Sequence, residues 1–144
     1  MSYKGYFKPK NISKYRGDPT NIIYRSRWEL KFLNYLDMNP DIVQYASEEF
    51  FIPYISPLDG KYHRYFPDFW FKKKTGENVV VEIKPLKQTY PPEKGNKKEK
   101  TYLTEVTQYV INKSKWEAAE KYCSKKNPPW KFILITEKEL DIKF

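Results

Sequence analysis

Two short runs of strand-forming residues, one on each side of a tight turn, constrain the fold of this chain more than any other feature. The first run spans residues 66–71 (FPDFWF) and the second residues 79–84 (VVVEIK). Both are rich in the aromatic and β-branched side chains that favour strands. Between them, Lys74-Thr75-Gly76 suits a three-residue hairpin loop with glycine in the left-handed position. The sequence therefore predicts an antiparallel hairpin.

The same loop sets the register of the two strands. If Lys73 pairs with Glu77, Asp68 lies directly opposite Glu82. Directly opposed residues of an antiparallel pair point to the same face, with Cβ atoms about 5 Å apart. Lys84, two residues beyond Glu82, lies on that face as well. The hairpin is thus expected to bring two carboxylates and one amine together.

Two opposed carboxylates on an apolar strand pair repel each other and need compensation. A hard divalent cation provides it, because Mg²⁺ sites that handle phosphates use one or two carboxylates plus waters. Lys84 could then orient the attacking water or offset charge on a phosphate. The alternative is an ordinary hairpin in which Lys84 forms a salt bridge with Glu82. The shared face of all three residues favours a site for Mg²⁺ or Mn²⁺.

The order of these residues resembles a known signature. Pro67-Asp68, followed after a hairpin by Glu82-Ile83-Lys84, is similar to the motif of the PD-(D/E)xK nuclease superfamily. The runs at 24–29 (YRSRWE) and 63–69 (HRYFPDF) resemble, more narrowly, the nucleases that complete the heads of T-even-type tailed phages. They are also similar to the restriction-like endonuclease subunit of certain transposons.

This resemblance implies a metal-dependent DNA nuclease. Asp68, Glu82 and the backbone carbonyl of Ile83 would hold Mg²⁺ or Mn²⁺, and Lys84 would position the nucleophile. The resemblance further implies work in the host cytoplasm during phage assembly, before tail joining, with head, portal or neck proteins as partners and a possible place in the virion. The alternative function is a non-catalytic structural protein that binds packaged DNA as a head–neck plug.

A further acid precedes the hairpin, on a predicted helix over residues 24–38 that Asn39-Pro40 ends. Superfamily members commonly carry a glutamate on this helix that reaches the metal, and the resemblance gives Glu29 that catalytic and metal-binding role. A local explanation competes with it. Ser26-Arg27-Trp28-Glu29 matches the capping box, in which the glutamate only satisfies a helix-end amide.

The longest helix is predicted over residues 103–122. Many superfamily members place a glutamine or lysine on the helix after the catalytic lysine, and Gln108 is the candidate that the resemblance indicates. Asn112 and Lys115 share its polar face. The alternative is a face that is merely solvated.

The charge of the chain indicates a polyanionic partner, because a net charge of +9 accompanies 18% aromatic residues. We expect DNA contacts from a basic N-terminal arm at 1–20 and from a lysine-rich loop at 86–100. The candidate contacts are Lys4, Lys8, Lys10, Lys14, Arg16, Lys87, Lys94, Lys97 and Lys98. A frayed terminus and a disordered surface insertion are the alternatives.

The predicted fold class is α/β: a single restriction-endonuclease-like domain over 21–144, with a mixed central sheet and helices on its faces. A chain of 144 residues fits one domain of ordinary size. Residues 49–54 are expected to enter the sheet beside the hairpin, and 62–71 to pair back in a meander. Residues 131–136 should form a strand parallel to a site strand. A single cysteine, Cys123, excludes an intramolecular disulfide, and the apolar runs are too short for a membrane span.

Overall fold

Eight strands and three helices make up the part of the chain that the structure, a computed structural model, describes, residues 4–140. In chain order they are β1 (Gly5–Tyr6), β2 (Ile23–Tyr24), α1 (Arg27–Met38), β3 (Ile42–Ser47), β4 (Ile52–Ile55), β5 (Tyr62–Tyr65), β6 (Phe69–Lys73), β7 (Asn78–Ile83), α2 (Glu99–Ser124), β8 (Lys131–Ile135) and α3 (Glu137–Leu140). Single 3₁₀ turns lie at Ile12–Lys14 and Leu86–Thr89. Among these residues no helix has the length and apolar character needed to cross a bilayer.

The central sheet has four strands in the order β3-β6-β7-β8. The pairs β3–β6 and β6–β7 are antiparallel, and β8 runs parallel to β7. This mixture follows from the connections: a tight loop joins β6 to β7, whereas the long helix α2 carries the chain back to the same end before β8. The predicted fold class, one α/β domain with a mixed sheet and helices on its faces, is confirmed.

Alternation along β7 divides the core between the two faces of this sheet. Val79, Val81 and Ile83 join the cluster that contains Phe32 and Leu36 of α1. The other face belongs to a second cluster, in which Trp116 and Ala119 of α2 pack against Ile52, Tyr54 and Tyr65. Because successive strand residues point to opposite faces, Val80 and Glu82 face the α2 layer. Glu82 and α1 therefore lie on opposite sides of the sheet.

The predicted hairpin register is confirmed. Phe69 pairs with Val81, Lys72 pairs with Asn78, and the amide of Lys73 donates to the carbonyl of Glu77 at 2.8 Å. Gly76 has a φ of +92°, which is the left-handed conformation that the loop requires. Extending this pairing by one residue beyond Phe69 sets Asp68 against Glu82.

The predicted meander is wrong in one respect. Residues 52–55 and 62–65 pair only with each other, as a separate two-stranded hairpin of β4 and β5. The neighbour of β6 in the central sheet is β3. Pro53 supplies a physical reason, because a proline lacks the amide hydrogen that a strand with partners on both sides must donate. The β4–β5 hairpin instead covers α2.

The N-terminal segment packs against the domain over the residues that the structure describes, from Lys4 onward. β1 pairs with β2, Phe7 is buried, and the ring of Tyr15 meets that of Tyr45 edge to face at 5.2 Å. Aromatic residues within a basic segment can pack into the core, and Phe7 and Tyr15 do so here. Residues 1–3 of the predicted arm lie outside the described residues.

Lys14 has a structural role that the sequence did not indicate. Its ammonium donates to the carbonyls of Leu36, Asp37 and Asn39 at 2.8, 2.8 and 3.0 Å, so it caps the C-terminal end of α1. Burial lowers the pKa of Lys14, while Asp37 raises it in part. With all three donors in use, Lys14 has none left for a phosphate.

Candidate active site

The hairpin brings Asp68 and Glu82 together through two backbone contacts. The amide of Ile83 donates to Asp68 Oδ2 at 2.8 Å, and the amide of Asp68 approaches Glu82 Oε1 at 3.4 Å. Asp68 thus accepts from the backbone amide that follows Glu82, and Glu82 lies within reach of the backbone amide of Asp68. This reciprocal arrangement requires the register that Lys74-Thr75-Gly76 sets, and it fixes both side chains on the strand ends.

Glu82 is held on the α2 side of the sheet. Its side chain is nearly buried, and Oε1 accepts a hydrogen bond of 2.8 Å from the hydroxyl of Tyr65 in β5. The ammonium of Lys84 lies 3.7 Å from Oε2. This is the ion pair of the ordinary-hairpin alternative, but at 3.7 Å it is longer than a direct hydrogen bond. Tyr65 was not predicted as a site residue, and its inward position follows from the β4–β5 pairing.

Both carboxyl groups resist ionisation in this environment. Burial raises the pKa of Asp68 well above its ordinary value, and the charge of Glu82 raises it further, against the amide of Ile83 and the charge of Lys84. Burial also raises the pKa of Glu82, while the hydrogen bond from Tyr65 and the charge of Lys84 lower it. Two like charges close together and partly removed from water are therefore not fully compensated by the surrounding protein.

The oxygen atoms that remain suit a hard cation. Among residues 4–140, Asp68 Oδ1 receives no hydrogen bond, and Glu82 Oε2 has only the distant ammonium of Lys84. Two neighbouring carboxylates with uncompensated charge fit a Mg²⁺ or Mn²⁺ ion that completes its shell with water. The described residues contain no group of three or more His, Cys, Asp or Glu side chains arranged to hold a metal. The acidic residues that the hairpin brings together are Asp68 and Glu82.

Glu29 lies in the first turn of α1, a helix that packs on the face of the sheet opposite to Glu82. Ser26 caps α1 by accepting from the amide of Glu29 at 3.1 Å. Glu29 Oε1 accepts in return from the amide of Arg25 at 3.2 Å. The local capping explanation is therefore formed, although the glutamate reaches one residue further back than in the standard box. Its predicted role as a third ligand stays untested, and its charge still raises the pKa of Asp68.

Glu48 is a neighbour of the site that the sequence did not indicate. Both of its carboxylate oxygens accept from Arg25 Nη1, at 2.7 and 2.8 Å, and its amide donates to the carbonyl of Asp68 at 3.2 Å. Its φ is +53°, a conformation that few residues other than glycine adopt. Burial is the main cause that raises the pKa of Glu29, and the charge of Glu48 adds to it. No sequence signal distinguishes Glu48 from an ordinary loop acid.

On α2, the candidate Gln108 and its neighbour on the polar face, Lys115, have different surroundings. Gln108 is exposed and donates to Asn112 Oδ1 at 2.9 Å. Lys115 lies nearer the carboxylates, with its ammonium 5.7 Å from the ring centroid of Tyr65. Burial lowers the pKa of Lys115, Glu82 raises it and Lys84 lowers it, so these three charges act on one another. The position of Lys115, seven residues after Gln108, was the signal that could have identified it.

The other predicted DNA contacts lie at the surface. The side chains of Lys4, Lys8, Lys10, Arg16, Lys87, Lys94, Lys97 and Lys98 are exposed. Two of them are engaged in ion pairs: Lys97 with Glu105 at 2.7 Å, and Lys94 with Glu99 at 3.8 Å. Exposed pairs of this kind are weak, so a phosphate can compete for the lysine.

Comparison with known proteins found a family and a relative that match this chain. Residues 39–137, which include Asp68, Glu82 and Lys84, match the family described as TnsA-like endonuclease N terminal. The chain is also 43% identical over 141 residues to the head completion nuclease of Enterobacteria phage T4, and the match covers 95% of this chain and 93% of that protein. No solved structure was found to match. With the hairpin inside the matched range and the similarity extending along nearly the whole chain, the protein belongs to the TnsA-like endonuclease family.

Proposed function

We propose that the protein is a Mg²⁺- or Mn²⁺-dependent DNA nuclease of the PD-(D/E)xK type, which hydrolyses phosphodiester bonds in the completion of phage heads. The observation that carries the chemistry is the Asp68–Glu82 pair. Both carboxyl groups have raised pKa values, and each has one oxygen without a direct hydrogen bond from residues 4–140. Such a pair reduces the stability of the hairpin unless a cation joins the two groups.

The protein would prepare the two metal ligands through contacts that do not use their free oxygens. The amide of Ile83 fixes Asp68 Oδ2, and the hydroxyl of Tyr65 fixes Glu82 Oε1. Hydrogen bonds to the oxygen atoms that do not bind the metal orient carboxylates toward the metal and keep the positions of the ligands constant. The carbonyl of Ile83 is the third ligand that we propose. A divalent ion there would supply hydroxide near neutral pH and stabilise the negative charge of the transition state.

Two lysines would act around this centre. Lys84, 3.7 Å from Glu82, would hold the attacking water or an oxygen of the scissile phosphate. Lys115 approaches the same carboxylate from α2 and would offset charge on the phosphate from the other layer. Glu29 would act indirectly, because its charge opposes ionisation of Asp68. We assign no catalytic contact to Gln108.

The exposed lysines would bind the DNA backbone without reading sequence, because contacts to phosphates are independent of base identity. The relative from phage T4 is named for head completion. That name supports a role for this chain in the infected cell during virion assembly, in contact with head, portal or neck proteins.

A cleavage assay tests the proposal. Purified protein is incubated with linear, circular and branched DNA in Mg²⁺, in Mn²⁺ and in EDTA. We expect cleavage with either metal, none in EDTA and none by the Asp68→Ala or Lys84→Ala variants. Asp41→Ala is the matched control, because Asp41 is an exposed acid paired with Lys74 and should leave cleavage unchanged. Cleavage that persists in EDTA contradicts the mechanism.

A further inference from the structure

A cavity of about 1080 Å³ lies between residues 87–97 and the polar face of α2. The first residue of its lining, Lys87, follows Lys84 of the proposed active site by three residues in the chain. Its α2 wall carries Gln108 and Asn112. Lys115, one turn beyond Asn112, is within electrostatic range of Glu82. The polar face of α2 thus leads from this cavity to the carboxylates.

The walls of the cavity differ in chemistry. The side facing α2 carries Tyr90, which is 59% exposed, together with Pro91 and Pro92. The opposite wall carries the side-chain amides of Gln108 and Asn112. A lining that combines a tyrosine ring and two prolines with hydrogen-bonding amides suits a ring that has polar atoms on its edge. A nucleobase is such a ring.

Asn112 has an unused donor at this wall. It is only 3% exposed, and its Oδ1 accepts from Gln108 Nε2 at 2.9 Å. Within residues 4–140 its Nδ2 has no hydrogen-bond partner. Nδ2 is not one of the fully enclosed polar atoms, so it is open to a ligand or to water in the cavity.

The lysines of the cavity lining differ in whether they form an ion pair. Lys97 and Glu105 neutralise each other at 2.7 Å. Lys87 forms no ion pair with any other residue of the described range and lies on the side nearest Lys84 in the chain. Lys87 is therefore available to bind a phosphate.

We propose that this cavity binds one unpaired nucleotide of the DNA strand, next to the phosphate that is cleaved, with the base against Tyr90 and its phosphate toward Lys87. A paired base cannot occupy it, because pairing uses the edge that would meet Asn112 and stacking covers the face that would meet Tyr90. The proposal rests on the proposed function, since DNA is taken to be the substrate.

Binding of two short probes tests this subsite. The first probe is a fluorescein-labelled oligonucleotide of five thymidines, and the second has the same length and phosphates but abasic sugars. Affinities are measured by fluorescence anisotropy in EDTA for the wild type, Tyr90→Ala and Tyr62→Ala. Tyr62 is an exposed tyrosine on the β4–β5 hairpin, outside the cavity wall, and serves as the matched control.

For the wild type and Tyr62→Ala, we expect the thymidine probe to bind about tenfold more tightly than the abasic probe, the scale of one base–aromatic stack. Tyr90→Ala should lose most of that ratio while it keeps its melting temperature. A Tyr90→Ala variant with the wild-type ratio, or a wild type that binds both probes equally, overturns the proposal. The binding measurement contains no metal and does not depend on DNA cleavage. The base-binding proposal and the nuclease proposal can therefore fail independently of each other.

Discussion

Replacing Asp68 with asparagine should stabilise the metal-free protein, even though it removes the proposed metal ligand. Asparagine keeps an oxygen that can accept from the amide of Ile83, now at 2.8 Å from Asp68. It removes one of two like charges. For charges about 5 Å apart, as the pairing of Asp68 with Glu82 implies, the repulsion at an effective dielectric of 20 is ~3 kcal/mol. Lys84 offsets part of this, which leaves a gain of about 1–2 kcal/mol and a rise in melting temperature of roughly 3–10 °C.

The effect should depend on pH in a defined direction. The folded-state pKa of Asp68 is raised, so the folded state binds more protons than the unfolded state between the unfolded pKa, near 4, and the raised folded value. Stability of the metal-free wild type therefore falls as pH rises through this window. The advantage of Asp68→Asn should be small near pH 4 and largest above the folded pKa.

Thermal denaturation in EDTA, followed by circular dichroism from pH 4 to pH 8, measures this effect. Mg²⁺ should raise the melting temperature of the wild type by mass action and leave Asp68→Asn unchanged. Asp41→Asn is the control, because Asp41 pairs with Lys74 at the surface and its pKa is lowered, first by the hydrogen bond to Lys74. It should not gain stability. A metal-free Asp68→Asn protein that melts at or below the wild type at pH 7.5 would refute the reasoning.

Three further variants test single residues. Lys115→Met should lower the cleavage rate about tenfold or more, and its circular dichroism spectrum should show an intact fold. The control Lys113→Met, on the exposed face of α2, should cleave at the normal rate. Lys14→Met removes three hydrogen bonds to carbonyls and should lower the free energy of unfolding by about 2–4 kcal/mol in urea titrations. Glu29→Gln should keep its melting temperature within a few degrees. It should reduce cleavage by about tenfold or less if Glu29 caps α1 and raises the pKa of Asp68, but by about a hundredfold if Glu29 binds the metal. Ser26→Ala should cost roughly 1 kcal/mol of stability and little activity.

The sequence was sufficient to predict the hairpin and the two carboxylates on it. Both follow from local rules: a three-residue loop with glycine at the left-handed position sets the register, and alternation along a strand sets the face. These rules involve only residues close in the chain. For that reason Asp68, Glu82 and Lys84 could be placed before the fold was known.

Side-chain contacts between distant segments could not be predicted. Tyr65 reaches Glu82 only because β4 and β5 form their own hairpin over α2, and Lys14 becomes a helix cap only because the N-terminal segment folds back onto α1. The position of Glu29 also depended on which face of the sheet α1 covers. A helical pattern shows which side of a helix is apolar, but it does not show which layer that helix joins.

The central claim is that Asp68 and Glu82 together hold a divalent metal. Titration calorimetry of the metal-free protein with Mn²⁺, in the absence of DNA, tests it most directly, since neither cleavage nor assembly partners are needed. We predict saturable Mn²⁺ binding by the wild type and by Asp41→Asn, and its loss in both Asp68→Asn and Glu82→Gln, whose circular dichroism spectra should stay native. Mn²⁺ binding that survives in either of these two variants would contradict the claim.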